Sequence, residues 1–309
     1  MKRLFVAIAA FGLAATMAVA QDYNAAVDAF NAGAQALESN KTEALAQFRA
    51  ALTEALACEG DEAADLVAKC KEIIPNTLLS IAKEQINDAK YDEALATLNE
   101  AKEVAAEYEA AGAAEEATSL VPNVFLRKGS TLLKEKDFAG AATAFKEVTA
   151  LNPDNGQAFL LLGQALLQGG DNDAAIEALS KASELGEEQA GKLLSTTYLK
   201  KGMALVKAGK NAEAIEALEK SNSYSENANA YKLIASAYTK SGKSAKAIEA
   251  YKKYLEVSPN AKDADDIIFT IAATAQKAGD KATAKEYYKK LTGSAKYAAQ
   301  AEAQLKTLN

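Results

Sequence analysis

Along this chain a small apolar residue is repeatedly followed, four residues later, by a bulky one. The pairs are Ala44 and Phe48, Ala94 and Leu98, Ala141 and Phe145, Ala175 and Leu179, Ala214 and Leu218, Ala247 and Tyr251, and Ala284 and Tyr288. A spacing of four puts both members on one helical face, and polar residues fill the other faces. Successive alanines lie 50, 47, 34, 39, 33 and 37 residues apart. A unit of roughly 34 residues cannot bury its apolar face alone. Its recurrence predicts an all-α solenoid of about seven stacked helical hairpins.

The unit reads as two helices. In the stretch from Val124 to Asn155, Phe125, Gly129 and Leu132-Leu133 make one stripe. Lys136-Asp137-Phe138 turns the chain, Ala141, Phe145 and Val148 make a second stripe, and Leu151-Asn152-Pro153 stops it. The small residues at 129 and 141 allow two antiparallel helices to approach closely. The same order recurs as Phe159, Gly163 and Leu166 with Ala175 and Leu179, then as Tyr198, Gly202 and Leu205 with Ala214 and Leu218. It recurs again as Tyr231, Ala235 and Tyr238 with Ala247, Tyr251 and Tyr254, and as Ile268, Ala272 and Ala275 with Ala284 and Tyr288. Gly170, Gly209, Gly242 and Gly279 are placed to close the first helix of each unit. Pro75, Pro122, Pro153 and Pro259 fall between predicted hairpins or at a first helical position, where a missing amide is harmless.

These residues resemble the tetratricopeptide repeat. Five units between 122 and about 298 follow its pattern. Two looser ones precede them, built on Ala32, Ala44, Phe48 and Ala51 and on Ile81, Ala82, Ala94, Leu98 and Ala101. Lys128 and Lys201 stand where the family prefers leucine, and the chain has no tryptophan. The resemblance implies a right-handed superhelical solenoid whose inner, concave wall is lined by first-helix side chains. Carried onto this sequence, the wall is Asn123, Leu126, Ser130, Leu133 and Lys134, then Gln157, Leu160, Gln164, Leu167 and Gln168. It continues through Thr196, Leu199, Met203, Val206 and Lys207, then Asn229, Lys232, Ser236, Thr239 and Lys240, and ends at Asp266, Phe269, Ala273, Gln276 and Lys277. Lys134, Lys207, Lys240 and Lys277 recur at one position, either to guide a peptide carboxylate or to favour the helix dipole. Of the tyrosines, Tyr224, Tyr254 and Tyr287 are the candidates for an interface, the others for the core.

Two segments break the period. Asp61 to Ile74 reads as an additional amphipathic stretch, and Ala101 to Leu120 as an elongated second helix. Both serve as extra packing or as a docking edge. Residues 294–308 read as a helix capping the last repeat. The chain therefore divides into residues 1–20, an irregular portion at 21–121 and a regular array at 122–309. Cys58 and Cys70 are too far apart to bridge on one helix. A disulfide needs the turn that Glu59-Gly60-Asp61 supplies, and otherwise the two are buried thiols.

Composition narrows the setting. Met1-Lys2-Arg3 is a basic head, Leu4 to Met17 is almost wholly apolar, and Ala18-Val19-Ala20 is a small-x-small cleavage pattern. This is a secretory signal, against the weaker reading of a membrane anchor, and it predicts a periplasmic mature chain starting at Gln21. Low arginine and high lysine are compatible with a Bacteroidetes host. Removing Lys2 and Arg3 takes the net charge from -7 to near -9. An acidic chain without a basic block is a poor binder of nucleic acid. No later segment approaches the length of a membrane span.

Candidate chemistry is sparse. The chain has no histidine, which excludes histidine-based nucleophilic catalysis, and two thiols cannot complete a zinc site. Phosphate-binding glycine loops are missing, and the carboxylates lie at solvated helix spacings. The expectation is therefore no catalytic, cofactor or metal site. The first function read from the sequence is a non-catalytic scaffold that holds an envelope or secretion protein, or an extended peptide, through its groove. The alternative is an exported binder of glycans or small ligands.

Overall fold

The computed structural model describes residues 23–308, all helices and connections. The leader pattern of residues 1–20 lies outside the described residues. In order, the helices are α1 (Tyr23–Ala36), α2 (Lys41–Leu56), α3 (Asp61–Asn87), α4 (Tyr91–Glu107), α5 (Ala111–Lys134), α6 (Phe138–Leu151), α7 (Gly156–Gly169) and α8 (Asn172–Glu184). They continue as α9 (Glu188–Lys207), α10 (Asn211–Tyr224), α11 (Ala228–Lys240), α12 (Ser244–Val257), α13 (Ala264–Lys277), α14 (Lys281–Lys290) and α15 (Ala298–Leu308). Odd and even helices pair into the seven hairpins, and α15 follows the last. The helices group into two compact units, divided between Lys128 and Gly129.

The alanine pairs hold the hairpins together. All seven alanines have no exposed surface, and their bulky partners range from 0% at Phe48, Phe145, Leu179 and Leu218 to 8% at Tyr251. In four hairpins the bulky side chain lies over a glycine of the first helix. Phe145 covers Gly129, Leu179 covers Gly163 and Leu218 covers Gly202, so closely that an added methyl would sit 2.5–2.7 Å from them. In the first hairpin Phe48 covers Gly33, and Ala32 faces solvent. The sequence pattern had placed Ala32 in the core; α1 ends three residues after Gly33, and Gly33, eleven residues before Ala44 where the other units have twelve, takes that position instead.

Left-handed residues close the first helices. Gly170, Gly209, Gly242 and Gly279 do so with φ of 70–86°, as their placement predicted. After α3 and α5 the same conformation falls on Ala89 at φ 59° and Lys136 at φ 65°, where a Cβ makes it costly. Four of the seven second helices begin at side-chain caps. Asn40, Asp137, Asp171 and Asp280 each accept the amide three residues on.

The irregular region departs from the sequence reading in three ways. Pro75 and Pro122 lie inside α3 and α5. Each occupies the first turn of the repeat's own helix, and the preceding residues continue that helix backwards. Asp61 to Ile74 is thus the front half of α3. Secondly, Ala101 to Leu120 is not one helix: α4 ends at Glu107, Glu109 turns left-handed at φ 59°, and α5 starts at Ala111. The division between the two compact units falls within α5, at 128/129. Ala113, Ala117 and Val124 pack in the first core, and Gly129 meets Phe145 in the second unit.

Thirdly, no disulfide joins Cys58 to Cys70. The turn at Glu59-Gly60-Asp61 is present, but it lies at the foot of α3, and Cys70 is nine residues further on, about 14 Å along the axis. Cys58 instead donates its thiol to the Glu54 carbonyl at 3.3 Å. Cys70 is fully buried, and burial pushes its thiol pKa up to about 11.

Candidate functional site

The first helices of the second unit present one row of side chains at matching positions. Gln157 on α7, Thr196 and Met203 on α9, and Asn229 and Lys232 on α11 are exposed. Met203, at 52%, is among the most exposed large apolar side chains of the described residues. Ser130, Gln164, Ser236 and Phe269 are half-buried. Lys134, Lys207, Lys240 and Lys277 are exposed and stand in the last turns of α5, α9, α11 and α13. Asn123, exposed, and Leu126, half-buried, belong to the first unit.

Some expected wall residues are consumed by packing between hairpins. Leu160 is 1% exposed and belongs to the core. Lys232 reaches forward to Asp263, the residue before α13, and lies 5.7 Å over the Tyr254 ring. Hydrogen bonds from Lys232, and then from the Tyr254 hydroxyl, hold the Asp263 carboxyl below its usual range. The same contact pushes the Tyr254 phenol up to about 12. One hairpin later Phe269 takes the place of Lys232 and stacks on Tyr297, the residue before α15, at 4.6 Å and 15°. Gln276 and Gln304 are hydrogen-bonded at 2.8 Å, and Lys296 pairs with Asp266 at 2.7 Å. Helix α15 therefore stands where the first helix of an eighth hairpin would stand. It caps the last hairpin and covers Phe269, Asp266 and Gln276, leaving Lys277 exposed.

The two lysines at positions where leucine was expected have partners. Lys128 pairs with Asp92, and Lys201 with Asp173 at 2.7 Å. In both cases the lysine bridges to the start of the preceding hairpin's second helix, so the polar substitution came as a pair. Among the candidate interface tyrosines, Tyr254 and Tyr287 are buried at 5% and 7%. Tyr224 is 39% exposed and stacks on Tyr198 at 6.1 Å.

A feature that the sequence reading passed over lies on the outer side of α11 and α12. Tyr231, Ile234 and Tyr238 are spaced three and four apart, and they line a cleft of about 510 Å³ with Ala250 and Glu249. The spacing was visible, but it was taken as core. The hollow beside it depends on which side chains the preceding hairpin does not supply.

The carboxyls that leave their ordinary range, Asp263, Asp266 and Asp280, are all held below it by hydrogen bonds. A general acid at neutral pH needs the opposite shift. Among the described residues there is no group of three acidic or thiol side chains placed to hold a metal ion. Nor is any helix among them long and apolar enough to cross a membrane.

Comparison with known proteins agrees with this geometry over the middle of the chain. The tetratricopeptide-repeat family profile matches residues 126–190 and 199–264. No curated protein matches the chain. Among solved structures, MamA is 26% identical over 59% of this chain and 96% of its own, with a TM-score of 0.35. PilW, described as a widely conserved type IV pilus biogenesis factor, is 18% identical over 75% of this chain and 98% of its own, with a TM-score of 0.32. The C-terminal part of a repeat protein from Cytophaga hutchinsonii is 20% identical over 71% and 81%, with a TM-score of 0.36. At such TM-scores these likenesses add nothing to the profile match. Residues 126–190 and 199–264 are similar to tetratricopeptide repeats, and the hairpins on either side are built on the same small-against-large pattern.

Proposed function

We propose that this protein is a non-catalytic scaffold of the bacterial periplasm that holds an extended segment of an envelope or secretion partner. The segment lies along the first helices of the second unit. One observation carries the reading: successive hairpins expose matching side chains, Gln157, Thr196 with Met203, and Asn229 with Lys240, beside positions that are fully buried. Amides, hydroxyls and ammonium groups in a row, with one apolar spot at Met203, suit the backbone and side chains of an extended peptide. The basic head, apolar run and small-x-small end of residues 1–20 support export.

The test is affinity capture from envelope extracts, comparing the natural protein with a Met203→Glu, Lys240→Glu variant. A protein enriched by the first and lost by the second, with helicity and melting unchanged, supports the reading. Equal enrichment by both removes the first-helix row from the interaction. Amino-terminal sequencing of the periplasmic fraction should return Gln21 as the first residue, and recovery of the full chain in the cytoplasm would refute export.

A further inference from the structure

The repeats provide their own control for the outer cleft beside α11. One hairpin earlier, the equivalent hollow of about 440 Å³ is walled by Tyr198, Lys201 and Leu205. It is crossed by the ion pair of Lys201 with Asp173, and Lys220 lies 5.7 Å over the Tyr198 ring. At the α11/α12 hairpin both members of that ion pair are replaced, Lys201 by Ile234 on α11 and Asp173 by Ala212 on the preceding α10, and Leu205 gives way to Tyr238. The hollow, now about 510 Å³, has a floor of Ile234 and Ala250, exposed by 4% and 7%, between two tyrosine walls. Tyr231 and Tyr238 stand seven residues apart, about 10 Å along one face of the helix. That volume falls within the range of small-ligand sites.

The cleft is lined by three lysines, Lys246, Lys252 and Lys253, and three glutamates, Glu219, Glu249 and Glu256, so its selectivity rests on how they are paired and not on net charge. Lys253 is paired with Glu256 at 2.6 Å, and Lys252 reaches away to the Tyr287 ring at 5.4 Å. Glu219 and Glu249 remain at the mouth against Lys246, which lies 5.7 Å over the Tyr238 ring. Each phenol donates to a carboxylate, Tyr231 to Glu226 at 3.0 Å and Tyr238 to Glu219 at 3.5 Å, which enriches both rings in electron density. Burial raises both phenol pKa values, and the neighbouring glutamates raise them further. Electron-rich ring faces over an apolar floor, with carboxylates at the rim, attract a cation that carries an apolar body. Lys246 shows that a ring face here accepts an ammonium group.

We propose that the outer cleft of the α11/α12 hairpin binds a small organic ammonium ion with an aromatic or aliphatic body. The body rests on Ile234 and Ala250 between the tyrosines. The charge lies between Glu219 and Glu249 and displaces Lys246 from Tyr238. The site is on the outer side of the hairpin and does not depend on the first-helix row.

Calorimetry and saturation-transfer NMR on the full mature chain test this, with phenethylammonium as probe and the neutral phenethyl alcohol as its control. The cation is expected to saturate and to bind about tenfold more tightly than the alcohol. Added salt should weaken only the cation. Glu249→Gln, an exposed change, should weaken the cation several-fold and leave the alcohol unchanged. A variant carrying Ala212→Asp and Ile234→Lys rebuilds the neighbouring hairpin's ion pair across the cleft, and should abolish binding of both. Equal affinity for the two probes, no saturable binding of the cation, or full binding by the folded double variant would each overturn the proposal. If the double variant does not fold, Glu249→Gln decides, and an unchanged preference for the cation there also overturns it.

Discussion

Two glycines of α9 separate helix propensity from packing. Gly191 has nothing within 4 Å of an added Cβ. At Gly202 the same atom would sit 2.5 Å from Leu218 Cγ and 2.6 Å from Cδ2. Leu218 has no exposed surface, so it has nowhere to withdraw. Replacing either glycine by alanine gains about 1 kcal/mol of helix propensity. Overpacking at 202 costs about 1–3 kcal/mol. Gly191→Ala should therefore stabilise the chain by roughly 1 kcal/mol, and Gly202→Ala should be neutral or destabilise it by up to about 2 kcal/mol. The gap between the two is the steric term alone. Leu218→Ala on its own should cost about 2–5 kcal/mol, and in that background Gly202→Ala should become favourable. Repeat arrays need not unfold in one step, so urea titration followed by circular dichroism should be joined to hydrogen exchange at the α9 and α10 amides. If Gly202→Ala matches Gly191→Ala, the close approach of α9 and α10 is not what this glycine is for.

Ala89→Gly should stabilise the first unit by up to about 1 kcal/mol, read as a raised urea midpoint, because the left-handed turn at φ 59° no longer carries a Cβ. In the native protein a maleimide should label Cys58 and reach Cys70 only after unfolding, and the unreduced mass should show two thiols. Cys70 keeps its proton in the folded state up to about pH 11 against an ordinary 9.0, so its contribution is complete below the lower value and is lost as pH rises towards the higher one. Cys70→Ala should remove that alkaline slope. Asp263 has the opposite sign. Its lowered pKa makes its contribution full at neutral pH and lost as pH falls through the depressed value, so Asp263→Asn should flatten the acid limb of a stability profile.

The positions that fill the core were legible because their constraint is local and repeats. A residue that must fit under Phe145 or Leu179 has to be small, and that signal survives in every unit. The prolines misled because a first-turn proline is equally compatible with a helix that starts there and with one that runs into it. Only the packing of Ala113, Ala117 and Val124 decides that α5 is continuous. The cysteine reading failed for a similar reason: the turn was placed correctly, but the length of α3 beyond it was not. Phe269 could not be recognised as covered, since Tyr297 reaches it through the docking of α15 and not through local spacing. Lys128 and Lys201 looked like departures until Asp92 and Asp173 were seen opposite them.

The lysine row can be argued further from where basic residues are missing. A helix dipole rewards a cation in the last turn of any helix. If it alone placed Lys134, Lys207, Lys240 and Lys277, second helices would carry the same residue. Among first helices α5, α9, α11 and α13 each have a basic residue in the last turn and α1, α3 and α7 have none; among second helices α2, α4, α6, α10 and α12 have none, while α8 has Lys181 and α14 has Lys289 and Lys290. Lys201 and Lys232, also on first helices, are bound to neighbours, Asp173 and Asp263. The four in the row stay exposed at the edge of the face that presents Met203 and Asn229. In a chain of net charge -7, four exposed ammonium groups on one face would suit an acidic stretch in the proposed partner. Reversing Lys207, Lys240 and Lys277 to glutamate should then slow association and abolish its salt dependence, while the melting temperature stays within a few degrees. An unchanged association rate would return these lysines to the dipole.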